Sequence, residues 1–585
     1  MSVFAMLISL MLMVLVTTTM ALTIVDNEMV MDYSRNKKTF QAADSGLVHG
    51  KVTLAHALSQ FSLPPATDIE DIDKYVADAE SGQEEGNRDI SLLVDTGTHI
   101  EELLPRGSVN TFGITEEIVG GILVDYEAAA NVFPTGVDRP AADDTTYRHV
   151  FHYGYTISSE GAAELGGQYN QATRVEQGAF DVEVQRPSFA SYGYFTQTMK
   201  NQFDDQLVFF DGEVYGGPTH VNTAPPLGRA GFYGTMTFDG PFTAVQGAYE
   251  DSWLGGNPNP IFNDSVSWGV EQIEIPSNGW SQLRASVGDE EHAADLTPPT
   301  NAELRELLGL PASADPVDQG VYYSQNYNAG GTLNGGIFVN GNVKELQFKG
   351  SGADPFMLIT VEATDGGAFN GTHTWKFQQN LSSEFVKVYL DGTHLYTFDG
   401  NLNGLIHVEG SVERMIGNGN LSGAEIPSGH QVTVSATGDI YIADHITYKD
   451  DPIANPDATN ILGLFSSNGN IYLAEDAPND LTLHATVMAV DDGHGVGAEG
   501  IVSGGSYVYN YANKGDWNLL GGLIENQNQT TGVYYSNGHV TGYNWKFTYD
   551  ERFEKGLAPP YFPYVTRFLV EMQGIVPAKW GRKYY

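Results

Sequence analysis

Fifteen histidines and 73 carboxylates are the residues of this 585-residue chain that could do chemistry, and their spacing decides whether they do. A zinc peptidase carries HExxH on a helix, an acyl-transferring serine sits in GxSxG, and a phosphate cradle reads GxxxxGK followed by Ser or Thr. None of these occurs. Gly495-Val496-Gly497-Ala498-Glu499-Gly500 matches GxGxxG, but the following "IVSGGSYVY" reads as strand, and a dinucleotide site requires a helix there. Neighbouring acids at Asp143-Asp144, Asp289-Glu290-Glu291, Asp450-Asp451 and Asp491-Asp492 could offer oxygens to calcium, which needs about six to eight converging on one point. No EF-hand loop is present, and with 73 acids adjacent pairs are expected on a solvated surface. Glycoside cleavage needs two carboxylates about one bond; no spacing singles out such a pair. His407, between Ile406 and Val408, reads as a stacked outward side chain of a strand. The expectation is no enzyme, no catalytic residue, no metal ligand and no cofactor, with a structural calcium ion as the alternative.

The whole composition then bounds the partners. The formal charge of −44 would be repelled by nucleic acid and by an anionic membrane surface. Cysteine is absent, so disulfides, thiolate metal sites and cysteine nucleophiles are excluded. Charged residues are only 17% against 41% hydrophobic, enough to bury a core. Abundant glycine with many Tyr, Thr and Val points to strands joined by tight turns.

Met1 to Val25 holds no charge. That run supplies the roughly 20 apolar residues of a membrane span, and it lacks the basic start and short apolar core of a cleaved secretory signal. Beyond it Met29, Val30, Tyr33, Phe40, Ala43, Leu47, Leu54, Ala57, Leu58 and Phe61 recur mostly at three- and four-residue steps, an amphipathic stripe. Pro64-Pro65 stops the pattern. One helix over about residues 1–62, roughly 90 Å long, is expected; the alternative is a signal-anchor followed by a separate helix.

The segments "DNEMVMDYSRN" (Asp26–Asn36) and "KKTFQAADSGL" (Lys37–Leu47) make this N-terminus resemble type IV pilins, and most closely the PilX-type N-terminal region of pilus-assembly proteins. The resemblance implies removal of a short basic leader ending in glycine, a membrane-held stage, and assembly through the apolar helix. The positions that would carry assembly are Met1, Val3, Phe4, Ala5, Leu7, Ile8, Leu10, Met11, Val14, Leu15 and Glu28. Two departures stand out. Ala5 occupies the fifth position, where many pilins place a glutamate for a neighbour's terminal amine. Thr17-Thr18-Thr19 lies where major pilins often break the helix with proline.

Further on, "DIEDIDKYVADAESGQEEGNRD" reads as a solvated face or loop. Tyr147–Ser159 and Ala172–Val184 alternate with period two, with Phe180, Val182 and Val184 opposite Asp181 and Glu183. "PSFASYGYFTQ", "FFDGEVYGGPTHVN" (Phe209–Asn222), "TGYNWKFTYDERF" (Thr541–Phe553) and "PPYFP" (Pro559–Pro563) are similar to an uncharacterised domain that commonly follows PilX-type N-termini. Thr300 and Glu303 form a capping box for a short helix that Gly309 and Pro311 end. Four segments align without gaps: "GGIFVNGNV" at 335, "GLIHVEGSV" at 404, "GDIYIADHI" at 438 and "GNIYLAEDA" at 469. They place Ile337, Ile406, Ile440 and Ile471 at one position. Such spacing suggests stacked coils that bury aliphatic side chains on one another; a β-sandwich is the alternative. Phe369–Phe398 is expected to form hairpins of its own.

The expected fold is α+β and mostly β: a long N-terminal pilin-type helix, a small antiparallel sheet head, and a large C-terminal parallel β-helix or β-solenoid. The expected divisions are 1–62, the membrane and assembly helix; 63–186, a pilin-like α/β head; 187–330, the β-rich start of the solenoid with a short helix near 300–309; and 331–585, the solenoid and C-terminal segment. The expected function is a structural subunit of a type IV pilus-like filament on a bacterial surface, anchored in the inner membrane before assembly. Its implied partners are copies of itself, the pilus assembly machinery and a prepilin peptidase, with no nucleic acid. The alternatives are a minor or tip pilin acting in adhesion or assembly, and a membrane-tethered β-helix enzyme acting on carbohydrate.

Overall fold

The computed structural model describes residues 2–59, 72, 76, 110–119, 122–139, 148–165, 168–222 and 569–573. It also describes 230–565 apart from 246–248, 251–257, 271, 290–296, 324–332, 334, 351–355, 368, 419–424, 504 and 535–539. Met1, the Pro64-Pro65 stop, the acidic stretch after it, Asp143-Asp144 and Glu290-Glu291 lie outside the described residues. Contacts divide the chain into two units: Met1–Arg186 with Arg567–Tyr585, and Pro187–Thr566. The second is thus inserted in sequence within the first.

In the first unit a single helix runs Ser2–Ser59. It passes through Thr17, Thr18 and Thr19 without a break, since β-branched residues lower helix propensity only mildly, and their hydroxyls donate to carbonyls one turn back: Thr17 to Met13 at 2.9 Å, Thr18 to Val14, Thr19 to Leu15 at 2.7 Å. The C-terminal half packs on an antiparallel sheet of Asn110–Val119, Ile122–Asp138, His149–Leu165, Gln168–Gln185 and Leu569–Gln573, paired in that order. Phe151, Tyr153, Ile157, Phe180, Val182 and Val184 are buried.

The buried helical stripe keeps Ala43 and Leu54 of the one that apolar spacing suggests and otherwise differs from it. It consists of Arg35, Thr39, Ala42, Ala43, Gly46, Gly50 and Leu54; Met29, Val30, Tyr33 and Phe40 are exposed, and Ala57, Leu58 and Phe61 fall outside the described side chains. The reason is closeness of approach. A Cβ added to Gly161 of the sheet would meet the Ala43 backbone nitrogen at 2.2 Å, and one added to Gly46 would meet Ser159 Oγ at 2.0 Å. Only small residues fit such a seam, so size outranks hydrophobicity on this face.

In the second unit, eleven described strands form one sheet. From one edge they are Gly320–Tyr323, Ile337–Asn340, Leu405–Glu409, Gln431–Ala436, Ile461–Ser466, Thr486–Ala489, Leu523–Asn528, Tyr194–Asn201, Thr219–Val221, Phe242–Ala244 and Val266–Trp268. Every neighbouring pair is parallel except the first. Register stacks Ile337 on Ile406, Val434, Leu464, Val487 and Leu523, all buried. Each such side chain contributes about 1.5–3 kcal/mol. Chain order rises along this sheet and then returns to its start: Leu523 pairs with Tyr194 and Ile524 with Phe195. The ends of the unit meet as well. Phe189 N donates to Pro563 O and Val565 N to Pro187 O, both at 2.9 Å.

A nine-stranded sheet carries the parallel strands Val343–Gly350, Val412–Ile416, Ile440–Ile442, Ile471–Leu473 and Val496–Ala498. It is extended at one edge by the antiparallel strands Phe356–Asp365, Gly371–Asn380, Phe385–Leu390 and Thr393–Asp399, the hairpins expected around 369–398. The four aligned repeats therefore divide. Ile337 pairs with Ile406 in the eleven-stranded sheet, and Ile440 with Ile471 in the nine-stranded one. They align because an inward–outward–inward strand needs the same pattern on either sheet.

The capping box forms: Glu303 N donates to Thr300 Oγ1 at 3.3 Å and Thr300 N to Glu303 Oε2 at 2.6 Å, opening the helix Asn301–Leu307. A helix over Trp280–Ser286, which no sequence signal marked, packs near Phe338 and His407.

Candidate assembly site

The residues expected to assemble fall on the front half of the long helix. Ser2–Ser59 is helical, so Val3, Phe4, Ala5, Leu7, Ile8, Leu10, Met11, Val14, Leu15 and Glu28 share one rod; the side chains of Val3, Phe4 and Ala5 fall outside the description. Leu7, Ile8, Leu10, Met11, Val14 and Leu15 are all about half exposed or more, from 47% at Ile8 to 71% at Met11. Every described side chain from 6 to 33 is exposed. The helix is long and apolar enough to cross a membrane, and none of its most apolar window is buried. With the threonine hydroxyls turned onto the helix's own backbone, the surface from 6 to 25 offers van der Waals contact and almost no hydrogen-bonding group. Glu28 lies about 35 Å along the rod from Ala5, so it cannot stand in locally for an acid at position five.

The candidates for chemistry resolve into structural contacts. His407 is 1% exposed and stacks on Phe338 with centroids 6.2 Å apart; its Nδ1 is 3.1 Å from Ser435 Oγ. It points away from the aliphatic column, as expected, but the layer around Trp280–Ser286 covers it. At Gly495 a Cβ would lie 1.9 Å from Gln527 O, and at Gly497 2.5 Å from Gln529 Cβ. Those glycines admit the neighbouring backbone and cradle no phosphate. Asp289 accepts from Arg284 Nη1 at 2.6 Å, Asp451 Oδ1 from Ile453 N at 2.9 Å, and Asp491 lies 3.3 Å from His494. Among the described residues no group of three or more His, Cys, Asp or Glu is arranged to hold a metal.

The aromatic and histidine motifs clamp neighbouring strands together. Phe195 stacks on His220 at 5.1 Å. His220 is buried, with Nδ1 2.7 Å from Thr243 Oγ1 and Nε2 2.7 Å from Asn222 Oδ1. Burial pushes its pKa down to about 4, so it is neutral and has no free nitrogen to offer a substrate. Ile273 N donates to Asn222 Oδ1 at 2.9 Å. At the other end Arg552 donates to Asp550 at 2.6 Å and to the carbonyls of Ala458 and Asn460 at 2.7 and 3.0 Å, while Tyr549 Oη donates to Ser191 O at 2.8 Å.

Two features had weaker sequence signals. Small residues at 42, 43, 46 and 50 recur at helical spacing, a visible mark of close packing. Glu525, in contrast, looks like any outward acid, yet it is 0% exposed. Its carboxylate accepts from Tyr194 Oη at 3.2 Å and Asn528 Nδ2 at 3.1 Å, and burial pushes its pKa up to about 7.

Residues 150–246 match a family described as a domain of unknown function, DUF4900. The match begins in the first unit's sheet, upstream of Pro187 where the similarity was expected to start, and includes the Phe195 and His220 motifs. No curated protein matches the chain. Among solved structures, the competence-associated pilin ComZ from Thermus thermophilus aligns at 12% identity over 92% of this chain and 97% of its own, with a TM-score of 0.29. A score of that size does not define a shared fold.

Proposed function

We propose that this chain is a subunit of a type IV pilus-like extracellular filament. The observation that carries the reading is the bare apolar rod at 6–25, continuous with a rear half anchored on the first unit's sheet. An exposed apolar surface of that length needs lipid or other helices around it. The same surface serves both stages: held in the inner membrane first, then packed against copies of itself. The PilX-like segments support this assignment, and with it processing by a prepilin peptidase and handling by the pilus assembly machinery. In this reading the second unit is displayed to solvent as a β-solenoid, a reading supported by the long parallel ladders of Pro187–Thr566.

The second reading is a minor or tip subunit acting in adhesion or assembly. Ala5 favours it, since a terminal subunit does not need the acid that pairs with a neighbour's amine. Imaging filaments sheared from the producing cells, with quantitative mass spectrometry of their content, tests both. Many copies per fibre with an N-methylated first residue support the filament subunit, and one copy per fibre supports the tip subunit. Recovery only as a detergent-bound monomer, absent from every surface fibre, overturns both.

A further inference from the structure

The antiparallel extension of the nine-stranded sheet has one face in the core and one in solvent. Met357, Ile359, Val361, Trp375, Phe377, Val386, Val388 and Phe398 fill the inner face. Register places the outer residues in rows: Gln347, Thr360, Lys376 and Tyr389 in one, and Lys349, Leu358, Gln378, Lys387 and Thr397 in the next. Three lysines thus share one face of a chain that has 73 acids and only 29 Lys and Arg. Lys376 and Lys387 are diagonal neighbours on adjacent strands, at a spacing of about 7–8 Å. Among the described residues no carboxylate lies within ion-pair distance of either. Among the acids of this face, Glu345 and Glu362 oppose each other one row away, where Arg414 Nε lies 3.6 Å from Glu345, and Asp399 lies opposite Phe385 in the row beyond Lys387. Lys376 Nζ sits 5.7 Å from the Tyr389 ring and Lys387 Nζ 5.0 Å from the Phe385 ring. Such contacts hold an ammonium over an aromatic face without neutralising it.

Four other bases of the second unit are paired with acids, and Arg305 and Lys514 are held by backbone carbonyls. Lys200 pairs with Asp204, Arg284 with Asp289, Arg414 with Asp476 and Arg552 with Asp550. We infer that the Lys376–Lys387 face docks an acidic surface, and that the surface belongs to a second copy of this chain. Charge complementarity carries the choice, because the rest of the molecule is strongly acidic and two copies otherwise repel. A basic face against an acidic one elsewhere is a heterologous contact, which propagates from copy to copy. It is independent of the apolar helix.

Sedimentation velocity of the full chain in a mild nonionic detergent, at low and high sodium chloride, tests this. The expected result is self-association at low salt that weakens at least tenfold at high salt, because screening shortens the reach of these charges. K376E/K387E abolishes it and K376R/K387R keeps it. Should the glutamate pair unfold the protein, as checked by circular dichroism, K376Q/K387Q shows the same loss. A wild type that stays monomeric at low salt overturns the inference. So does association indifferent to salt and to these substitutions, which would come from the helix. A monomer that is instead retained on heparin through these lysines overturns it in favour of another polyanion. Whether fibres contain this chain is a separate measurement, so the two readings can fail independently.

Discussion

Glu525 sits where Leu523–Asn528 meets Tyr194–Asn201, segments far apart in sequence. Its folded pKa of about 7 lies above the usual 4.5 because burial opposes the charge. The folded state therefore holds a proton that the unfolded state releases. Glu525 contributes stability fully below about pH 4.5, and this is lost as pH rises through about 7, a loss of about 3–4 kcal/mol. Glu525→Gln should flatten that slope and make the protein more stable than wild type at pH 8, as read by denaturant unfolding across pH. Arg552 is the opposite case, a buried cation whose removal strands buried Asp550. Arg552→Met should cost about 3–5 kcal/mol, measured in the same way at pH 7. At Gly161 the Ala43 backbone leaves no space for a side chain, so Gly161→Val should lower the melting temperature of the first unit and expose the rear of the helix to proteolysis.

At the scale of elements, the long helix has two jobs on one rod. Its rear uses small residues to sit on the sheet; its front keeps large apolar residues uncovered. Val14→Asp at the exposed front should abolish incorporation into fibres, assayed by shearing and immunoblotting. It should leave the unfolding midpoint of the β-rich unit within error, because residue 14 belongs to the other unit. The parallel strands form a different kind of element. Each buries its aliphatic column on its neighbours, and none could do so alone.

At the scale of the whole molecule, the insertion of Pro187–Thr566 within the first unit has a thermodynamic consequence. Its ends are tied by the Phe189–Pro563 and Val565–Pro187 hydrogen bonds, and its ladder joins its own first and last segments. A unit with adjacent ends and its own core folds independently. The fragment 187–566 should express as a soluble protein with a cooperative thermal transition, and its melting temperature should match the corresponding transition of the full chain in detergent. Failure to fold would show that 187–566 is not an independent folding unit.

The rod, its length and its bare front were legible in the residues, because a helix's hydrophobic pattern is local and an uncharged run admits few alternatives. The Thr300–Glu303 cap and the Ile337–Ile406 and Ile440–Ile471 pairings were legible for the same reason, since each depends on a short pattern. What the tertiary structure alone decided is which surfaces meet. It turned Ala42 and Gly46 to the sheet in place of Phe40, separated the four repeats onto two sheets, joined residue 194 to residue 523, and buried Glu525. These outcomes follow from register, closeness of approach and long-range pairing, which depend on where distant segments lie and leave no periodic trace in either segment.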